Sequence, residues 1–160
     1  MFERALESDT KEISELHSIA IKQIFSASYP PEIIENWNVG RTLKGLKNII
    51  IQENFFILRS NGSIEGFVHF NNDEIIGLFL RLDCIGKGLG RKLFEFAVSE
   101  INQRPVKLLA SLNAVDFYRH MGCNSKGHTV VRRNERDIYF LKMEYMHNKR
   151  MQSDPAKLGR

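Results

Sequence analysis

The stretch LFLRLDCIGKGLGRKLFEFAVSEI, residues 78–101, joins an apolar run to an amphipathic one through glycines at every second position. These glycines are Gly86, Gly88 and Gly90. The apolar run predicts a strand, and the spacing of the apolar residues after the glycines predicts a helix. The buried face of that helix would carry Leu93, Phe96, Ala97 and Ile101. A strand therefore passes into a helix through backbone with almost no side chains.

Such a junction has the features of a phosphate site. A helix N-terminus presents unpaired backbone N–H groups and a partial positive charge, and glycines let an anion approach the backbone closely. Lys87 and Arg91 add positive charge beside it. The junction predicts a cradle for pyrophosphate, and a tight turn that uses glycine for steric reasons alone is the alternative.

Two common phosphate loops are excluded by spacing. A Walker A loop needs four residues between its first glycine and a Gly-Lys-Ser/Thr, and GKGLGRKLF does not supply them. The dinucleotide fingerprint GxGxxG is also absent, because the spacing is GxGxG and the loop follows the fourth predicted strand. Neither a P-loop NTPase nor a Rossmann oxidoreductase is supported.

The rest of the chain predicts a mixed α/β sheet. FERA reads as a short edge strand, and a first helix follows with Asp9 as its cap and Glu12 as the partner in a capping box. PPEIIENW begins a second helix. NFFILRS and SIEGFVHF flank Asn61-Gly62, a strong hairpin signal, and EIIGLFLRL follows the turn at Asn71–Asp73. These three strands form an antiparallel meander.

After the glycine junction, the strand VKLLASL predicts a crossover with parallel pairing to the preceding strand. NAVDFYRHMG predicts a short helix, and HTVVRR with DIYFLKMEY predicts a closing hairpin around Asn134. The order is βααβββαβαββ. We expect one domain over residues 1–146 and a disordered tail over 147–160.

Charge argues against nucleic acid as a partner. The net charge is +4, of which the tail HNKRMQSDPAKLGR supplies +3, so residues 1–146 carry only +1. Binding to a phosphate backbone needs clustered positive charge, which a nearly neutral body lacks. No apolar run approaches the roughly 20 residues of a membrane-spanning helix. We expect a cytoplasmic protein without membrane association.

The cysteines, Cys84 and Cys123, are too few and too widely spaced to predict a zinc site or a disulfide framework. We therefore expect no metal and two buried or incidental thiols.

The glycine stretch resembles the acetyl-CoA loop of the GCN5-related N-acetyltransferases (GNAT), in which Gln/Arg-x-x-Gly-x-Gly/Ala follows the fourth strand and opens a helix. IGKGLG, residues 85–90, matches at Gly88 and Gly90, and Ile85 replaces the usual Gln or Arg. SLNAVDFYRHMGC, residues 111–123, is similar to the family's Asn-x-x-Ala-x-x-Phe-Tyr-x-x-x-Gly-Phe segment. It matches at Asn113, Phe117, Tyr118 and Gly122, and Cys123 replaces the aromatic residue.

The resemblance implies a splayed, mostly antiparallel sheet of the acyl-CoA N-acyltransferase fold and acetyl-CoA as co-substrate. Its pantetheine arm would pair with backbone of the fourth strand, and Tyr118 would donate a hydrogen bond to the coenzyme A sulfur. Asn113 would satisfy polar groups of the arm or cap the following helix. The implied cofactor-binding residues are Leu78, Phe79, Leu80, Ile85, Gly86, Lys87, Gly88, Leu89, Gly90, Arg91, Asn113 and Tyr118.

The family also implies a general base, for which Glu74 at the start of the fourth strand and His69 on the third are the candidates, beside water alone. With Tyr118, Glu74 is the implied catalytic residue. Acceptor recognition in the family comes from the first two helices and the last hairpin. The second-helix region offers aromatic and acidic side chains that suit either a cationic amine or packing. They are Phe25, Tyr29, Glu32, Glu35 and Trp37.

The expected function is transfer of an acetyl group from acetyl-CoA to a small-molecule or peptide amine by direct attack in a ternary complex. A non-catalytic acyl-CoA-binding module of the same fold is the alternative, and a basic interaction protein acting through the tail is a second one. The segment KRMQSDPAK resembles the translated recombination-site ends of integron-cassette reading frames. Exposed sheet edges would allow a homodimer.

Overall fold

A computed structural model of the chain describes residues 1–147. These residues form one seven-stranded sheet in the order β1-β2-β3-β4-β5-β7-β6. The strands are β1 (Phe2–Arg4), β2 (Asn54–Ser60), β3 (Ser63–Phe70), β4 (Glu74–Leu80), β5 (Val106–Ser111), β6 (Asn124–Arg133) and β7 (Arg136–Tyr145). All neighbours pair antiparallel except β4 and β5, so the predicted sheet class is confirmed. The predicted tail lies outside the described residues from position 148 onward.

Within residues 1–147, five α-helices cover the sheet. They are α1 (Thr10–Gln23), α2 (Pro31–Trp37), α3 (Leu43–Gln52), α4 (Leu89–Glu100) and α5 (Val115–His120). The third of these is absent from the order read from the sequence. Thr42 caps it, with Oγ1 accepting from Gly45 N at 3.0 Å. Its internal glycine and its run of β-branched isoleucines are poor helix formers, and only Ile50 is buried, which weakens the helical signal.

Local turn chemistry sets the hairpins. Asn61 and Gly62 have φ of 50° and 80°, as the two central residues of a tight hairpin turn require. Asn134 and Glu135, with φ of 44° and 62°, form the equivalent turn between β6 and β7. At the β3–β4 turn, Asn71 Oδ1 accepts from the backbone N–H of Glu74 at 2.8 Å. The predicted hairpins are therefore confirmed.

Asp9 occupies the predicted N-cap position of α1, but its side chain makes no capping hydrogen bond, so the predicted capping box does not form. The Asp9 side chain accepts instead from Leu6 N at 2.9 Å and from Arg59 Nη2 at 2.8 Å. Glu12 Oε1 accepts from Ile64 N at 2.7 Å and does not reach back to a cap. Both carboxylates thus attach the start of α1 to the β2–β3 hairpin. Their hydrogen bonds to β2 and β3 replace those of a capping box.

The parallel strands β4 and β5 pair over only two positions, Glu74 with Lys107 and Ile75 with Leu108. Beyond these, β4 continues to pair with β3 as far as Leu80, and β5 continues with β7 as far as Ser111. The two strands therefore separate toward their C-terminal ends. The predicted splay is confirmed, and it leaves a gap bordered by the backbone of β4.

Each face of the sheet has its own core. Helix α4 buries Leu93, Phe94 and Ala97 against one face, where Val68, Ile75 and Leu108 lie. Helices α1, α2 and α3 cover the other face in two adjoining clusters, and Phe79 of β4 packs against both. Since full burial of a large apolar side chain contributes roughly 1.5–3 kcal/mol, these cores hold the helices on either side of the gap.

Gly66 of β3 gives a stability test of the packing between β4 and α4. A Cβ there would lie 2.7 Å from the Phe79 carbonyl oxygen and 2.7 Å from Leu80 Cδ2. Because a carbonyl in the sheet cannot move aside, Gly66→Ala should lower the free energy of unfolding by about 1–3 kcal/mol. Urea denaturation with an unchanged m-value measures this. Gly77→Ala is the matched control, since its Cβ would find its nearest atom at 3.4 Å. Equal losses in both variants would contradict the argument.

Candidate functional site

Two of the three loop glycines are required by backbone conformation and the third by packing. Gly86 and Gly88 have φ of 81° and 79°, and a Cβ on either would meet no atom within 4 Å. Open space therefore lies in front of both. A Cβ on Gly90 would instead lie 3.1 Å from the Phe117 ring. The third glycine thus lets the start of α4 approach α5, and it brings the two sequence blocks into contact.

The loop leads directly into the N-terminus of α4. Gly88 is the residue before the helix, and the first helical bond runs from Lys92 N to Gly88 O at 3.2 Å. The N–H groups of the first helical turn therefore precede the hydrogen-bond ladder and point out of the helix end. Arg91 lies 3.6 Å from Glu95 on the exposed side, and Ile85 is exposed beside the loop. This arrangement exposes backbone N–H groups that are able to bind an anion.

The end of β4 borders the gap with backbone alone. Leu78 and Leu80 pack with the α4 core, whereas Phe79 packs on the opposite face. One edge of this segment pairs with β3, and its other edge faces the space left by β5. Its three side chains are used for packing, so the predicted ligand contacts here would be made by backbone.

Tyr118 lies in α5 beneath the start of α4. It is buried, with its ring edge-to-face against Phe94 and Phe117 at centroid distances of 6.1 and 5.0 Å. Burial raises the pKa of its hydroxyl well above the usual value, and the nearby Cys123 thiol adds to this effect. The group is therefore a neutral O–H donor throughout the physiological range.

Asn113 lies in a single-turn 3-10 helix, Leu112–Ala114, at the end of β5. Its Oδ1 is buried and has no hydrogen-bond partner within residues 1–147. It does not cap α5, whose N-terminal cap position is Ala114 without a side-chain bond. A buried acceptor left without a donor costs about 1–3 kcal/mol, so this atom fits a ligand N–H.

The two candidate bases have different surroundings. Glu74 is half-buried at the paired end of β4 and β5. Burial and then the Asp73 carboxylate raise the pKa of its carboxyl, whereas Lys107 and a hydrogen bond with Asn71 act in the opposite direction. His69 is 9% exposed, its Nε2 lies 2.5 Å from Glu53 Oε2, and its ring stacks on Phe55. His69 is thus held by an ion-pair contact and an aromatic stack, whereas no salt bridge of the described residues involves Glu74.

The aromatic residues predicted for the acceptor are part of the core. Phe25, Tyr29 and Trp37 are buried, and Trp37 packs edge-to-face on Phe25 at 4.8 Å. Glu32 and Glu35 are exposed on α2. Packing, the second reading of this sequence pattern, therefore accounts for the aromatic side chains.

The Tyr29 hydroxyl also links three parts of the chain. It donates to the Tyr139 carbonyl of β7 at 2.6 Å and accepts from Leu112 N at 3.0 Å. Tyr29, in the segment between α1 and α2, thereby fixes the turn that carries Asn113.

A basic cluster of His17, Arg41 and Arg133 lies near β4 and is not predictable from the sequence. The His17 ring of α1 packs at 4.6 Å on Phe79, and its Nε2 accepts from Arg41 Nη1 at 3.1 Å. Burial lowers the pKa of His17 to about 3, with Arg41 and then Arg133 adding repulsion. The one available signal was a histidine beside Leu16 and Ala20 on the apolar face of α1. Nothing local connects it with two distant arginines.

Within residues 1–147, no group of His, Cys, Asp or Glu side chains is arranged to hold a metal ion. Cys84 and Cys123 are free and buried. No helix in that part of the chain is both long and apolar enough to cross a bilayer.

Residues 25–146 match the family model of the acetyltransferase (GNAT) domain. No curated protein sequence matches the chain.

Solved structures share the fold at low identity. A GCN5-related N-acetyltransferase from Rhodopseudomonas palustris is 20% identical with a TM-score of 0.87, over 92% of this chain and 95% of that one. The PaiA N-acetyltransferase of Thermoplasma acidophilum, solved with coenzyme A, is 19% identical with a TM-score of 0.69, over 92% and 98%. YncA of Salmonella typhimurium, solved with acetyl-CoA, is 16% identical with a TM-score of 0.63, over 93% and 94%.

The low pKa of His17 predicts a pH dependence of stability. The unfolded chain takes up a proton at His17 near pH 6.5, whereas the folded protein does so only near pH 3. Between these values the unfolded state binds more protons, so the free energy of unfolding falls as pH falls through this window. Urea denaturation at pH 7 and pH 5 should show a smaller loss in His17→Gln than in wild type. Identical losses would contradict the assignment.

Proposed function

The chain belongs to the GNAT family of acetyltransferases, and from this we propose that it moves the acetyl group of acetyl-CoA to a primary amine by direct attack in a ternary complex. The observation that carries the proposal is the gap between β4 and β5, which opens toward the left-handed glycine loop before α4. The gap offers backbone along one side and an anion cradle at its end. A pantetheine arm with a terminal pyrophosphate has the matching chemistry.

Three groups of this chain would hold acetyl-CoA. Backbone N–H groups of residues 85–91 would bind the pyrophosphate, and Lys87 and Arg91 add charge. The free backbone edge of Leu78–Leu80 would pair with the amides of the arm, and the Asn113 Oδ1 would accept from one of its N–H groups. The substitution of Ile85 for Gln or Arg is tolerated in this scheme, because the cradle consists of backbone.

Tyr118 would act on the leaving sulfur. When the amine nitrogen bonds to the acetyl carbon, the carbon–sulfur bond breaks and negative charge develops on the thiolate. A neutral hydroxyl can stabilise that charge by donating a hydrogen bond. Because burial raises the Tyr118 pKa and a thiol has an ordinary pKa near 8.5, complete transfer of the tyrosine proton is unfavourable. Its proposed role is therefore donation without full proton transfer.

The attacking amine must be neutral, so a base has to remove its proton. We assign this role to Glu74, acting through water, since burial and Asp73 move its pKa upward toward the working range of a base. His69 is the rival, but its contact with Glu53 and its stack on Phe55 fit a structural role better.

Isothermal titration with acetyl-CoA tests the cradle. Wild type should bind, and Gly88→Glu should abolish binding, since its side chain would place bulk and negative charge where the pyrophosphate lies. Gly62→Glu is the matched control, because Gly62 has φ of 80° against 79° for Gly88 and equally open surroundings. Both variants should lose about 1–2 kcal/mol of stability from backbone strain.

Only Gly88→Glu should lose acetyl-CoA binding, whereas Gly62→Glu should bind as wild type does. Retained binding by Gly88→Glu, or equal loss in the hairpin control, would contradict the cradle. Binding without thiol release across a broad set of amines would favour the non-catalytic module.

Tyr118→Phe tests the hydrogen bond to sulfur. We expect kcat for thiol release to fall roughly 100-fold, as for loss of one donor to a developing anion, while the Kd for acetyl-CoA stays unchanged. Tyr139→Phe, which changes an exposed tyrosine of β7, is the control and should retain kcat. An unchanged kcat in Tyr118→Phe would exclude Tyr118 from the chemistry.

A further inference from the structure

We propose that the accepted amine carries an anionic oxygen group, a carboxylate or a phosphonate, and that Arg41 and Arg133 bind this group next to β4. The inference rests on the proposed acetyl transfer and names the class of its acceptor. It begins from the basic cluster formed by His17 of α1, Arg41 between α2 and α3, and Arg133 at the end of β6.

The segments that carry Arg41 and Arg133 are in direct contact. Asn134 Nδ2, in the β6–β7 turn, donates to the Val39 carbonyl at 3.3 Å. Val39 lies two residues before Arg41, and Asn134 directly follows Arg133. The contact therefore holds the loop after α2 against the turn of the last hairpin, and it brings the two arginines to the same part of the surface.

Strand alternation places Arg133 over the face that α1 and α2 cover. Val131, two residues earlier, packs against the cluster of Trp37 and Phe140. Residues 131–133 pair regularly with 136–138, so Arg133 lies on the same face as Val131 and is half-buried. Arg132 lies on the other face, where Nη1 donates to Asp137 Oδ1 at 3.0 Å.

Within residues 1–147, no salt bridge balances the charge of this cluster. Ion pairs within residues 1–147 involve Arg59, Arg81, Arg91, Arg119 and Arg132 among the arginines, but neither Arg41 nor Arg133. The side-chain partner of Arg41 is the neutral ring of His17. Desolvation and then repulsion from Arg133 lower the pKa of Arg41 to about 10. A bound anion would relieve that repulsion.

His17 connects the cluster with the strand that borders the gap. Its Nε2 accepts from Arg41 and so orients the guanidinium, while its ring packs on Phe79. Phe79 belongs to the β4 segment proposed to pair with the acetyl donor. An acceptor held by the two arginines would therefore lie beside this strand, on the face opposite α4.

Guanidinium groups bind carboxylates and phosphonates through paired hydrogen bonds, and they repel polyamines. The cluster thus favours amino acids or aminophosphonates over purely cationic amines. Since the core uses the aromatic residues near α2, no compensating cation site is built from them.

Thiol release should be measured with the standard amino acids, their methyl esters and aminophosphonates of matched length. Methyl esters keep the amine and remove the charge. We expect kcat/KM to favour the acid form of a preferred substrate at least about tenfold over its ester. Higher rates with phosphonates than with carboxylates would identify a phosphonate as the bound anion, and the reverse would identify a carboxylate.

The variants Arg41→Gln and Arg133→Gln should raise KM for the acid about ten- to hundredfold and reduce the acid-to-ester ratio toward one. Arg132→Gln is the matched control. It removes an arginine from the adjacent position, on the opposite face, and should keep the wild-type ratio. Thermal unfolding of each variant confirms that it is folded.

Acetyl-CoA binding is titrated in the same preparations to separate the two proposals. If acetyl-CoA does not bind, the proposed function fails, and the acceptor class fails with it. If acetyl-CoA binds and amines are acetylated with equal kcat/KM for acid and ester, only the acceptor class is overturned. A preference for acids that Arg132→Gln reduces as much as Arg133→Gln does would also overturn it.

Discussion

The separation of β4 from β5 is the constraint on which the rest of the structure depends. The strands share two paired positions, after which β3 holds one and β7 holds the other. A continuous parallel ladder would satisfy the backbone of β4 internally and leave no room for a ligand. Because the ladder stops early, polar backbone groups remain available at the centre of the sheet. The glycine loop and α5 lie around the opening that results.

The side chains at the end of β4 pack on both faces of the sheet. Leu78 and Leu80 contribute to the core under α4, which fixes the helix whose N-terminus is proposed to bind the pyrophosphate. Phe79 contributes to the cores under α1 and α2, where the basic cluster lies. Three consecutive residues thus support the proposed donor site through one face and the proposed acceptor site through the other. The free backbone edge runs between them.

The fold can be predicted from the sequence where the cause of structure is local. Gly88 and the Asn61-Gly62 pair require positive φ, and the resulting loop and hairpin lie where the sequence places them. Helix α3 cannot be predicted in this way, since Gly45 and the isoleucine run weaken the helical signal and the helix depends on its cap and on packing. The N-cap position of Asp9 follows from the sequence, but the hydrogen bonds of its side chain do not, because the Arg59 guanidinium that binds it belongs to a distant strand. Arg41 and Arg133 come together only through the folded topology.

The Tyr29 hydroxyl has a consequence for how a protein of this kind can change over evolution. One oxygen atom links the segment after α1, strand β7 and the turn that holds Asn113. A substitution that displaces Tyr29 on the proposed acceptor side would therefore also displace the turn that carries Asn113 on the proposed donor side. New acceptor preferences can therefore arise with least disturbance in the loop after α2 and in the last hairpin turn, which lie outside this link. With the two sites as proposed, we expect changes of acceptor preference to be tolerated best in those two segments, whereas a change around Tyr29 would affect both sites at once.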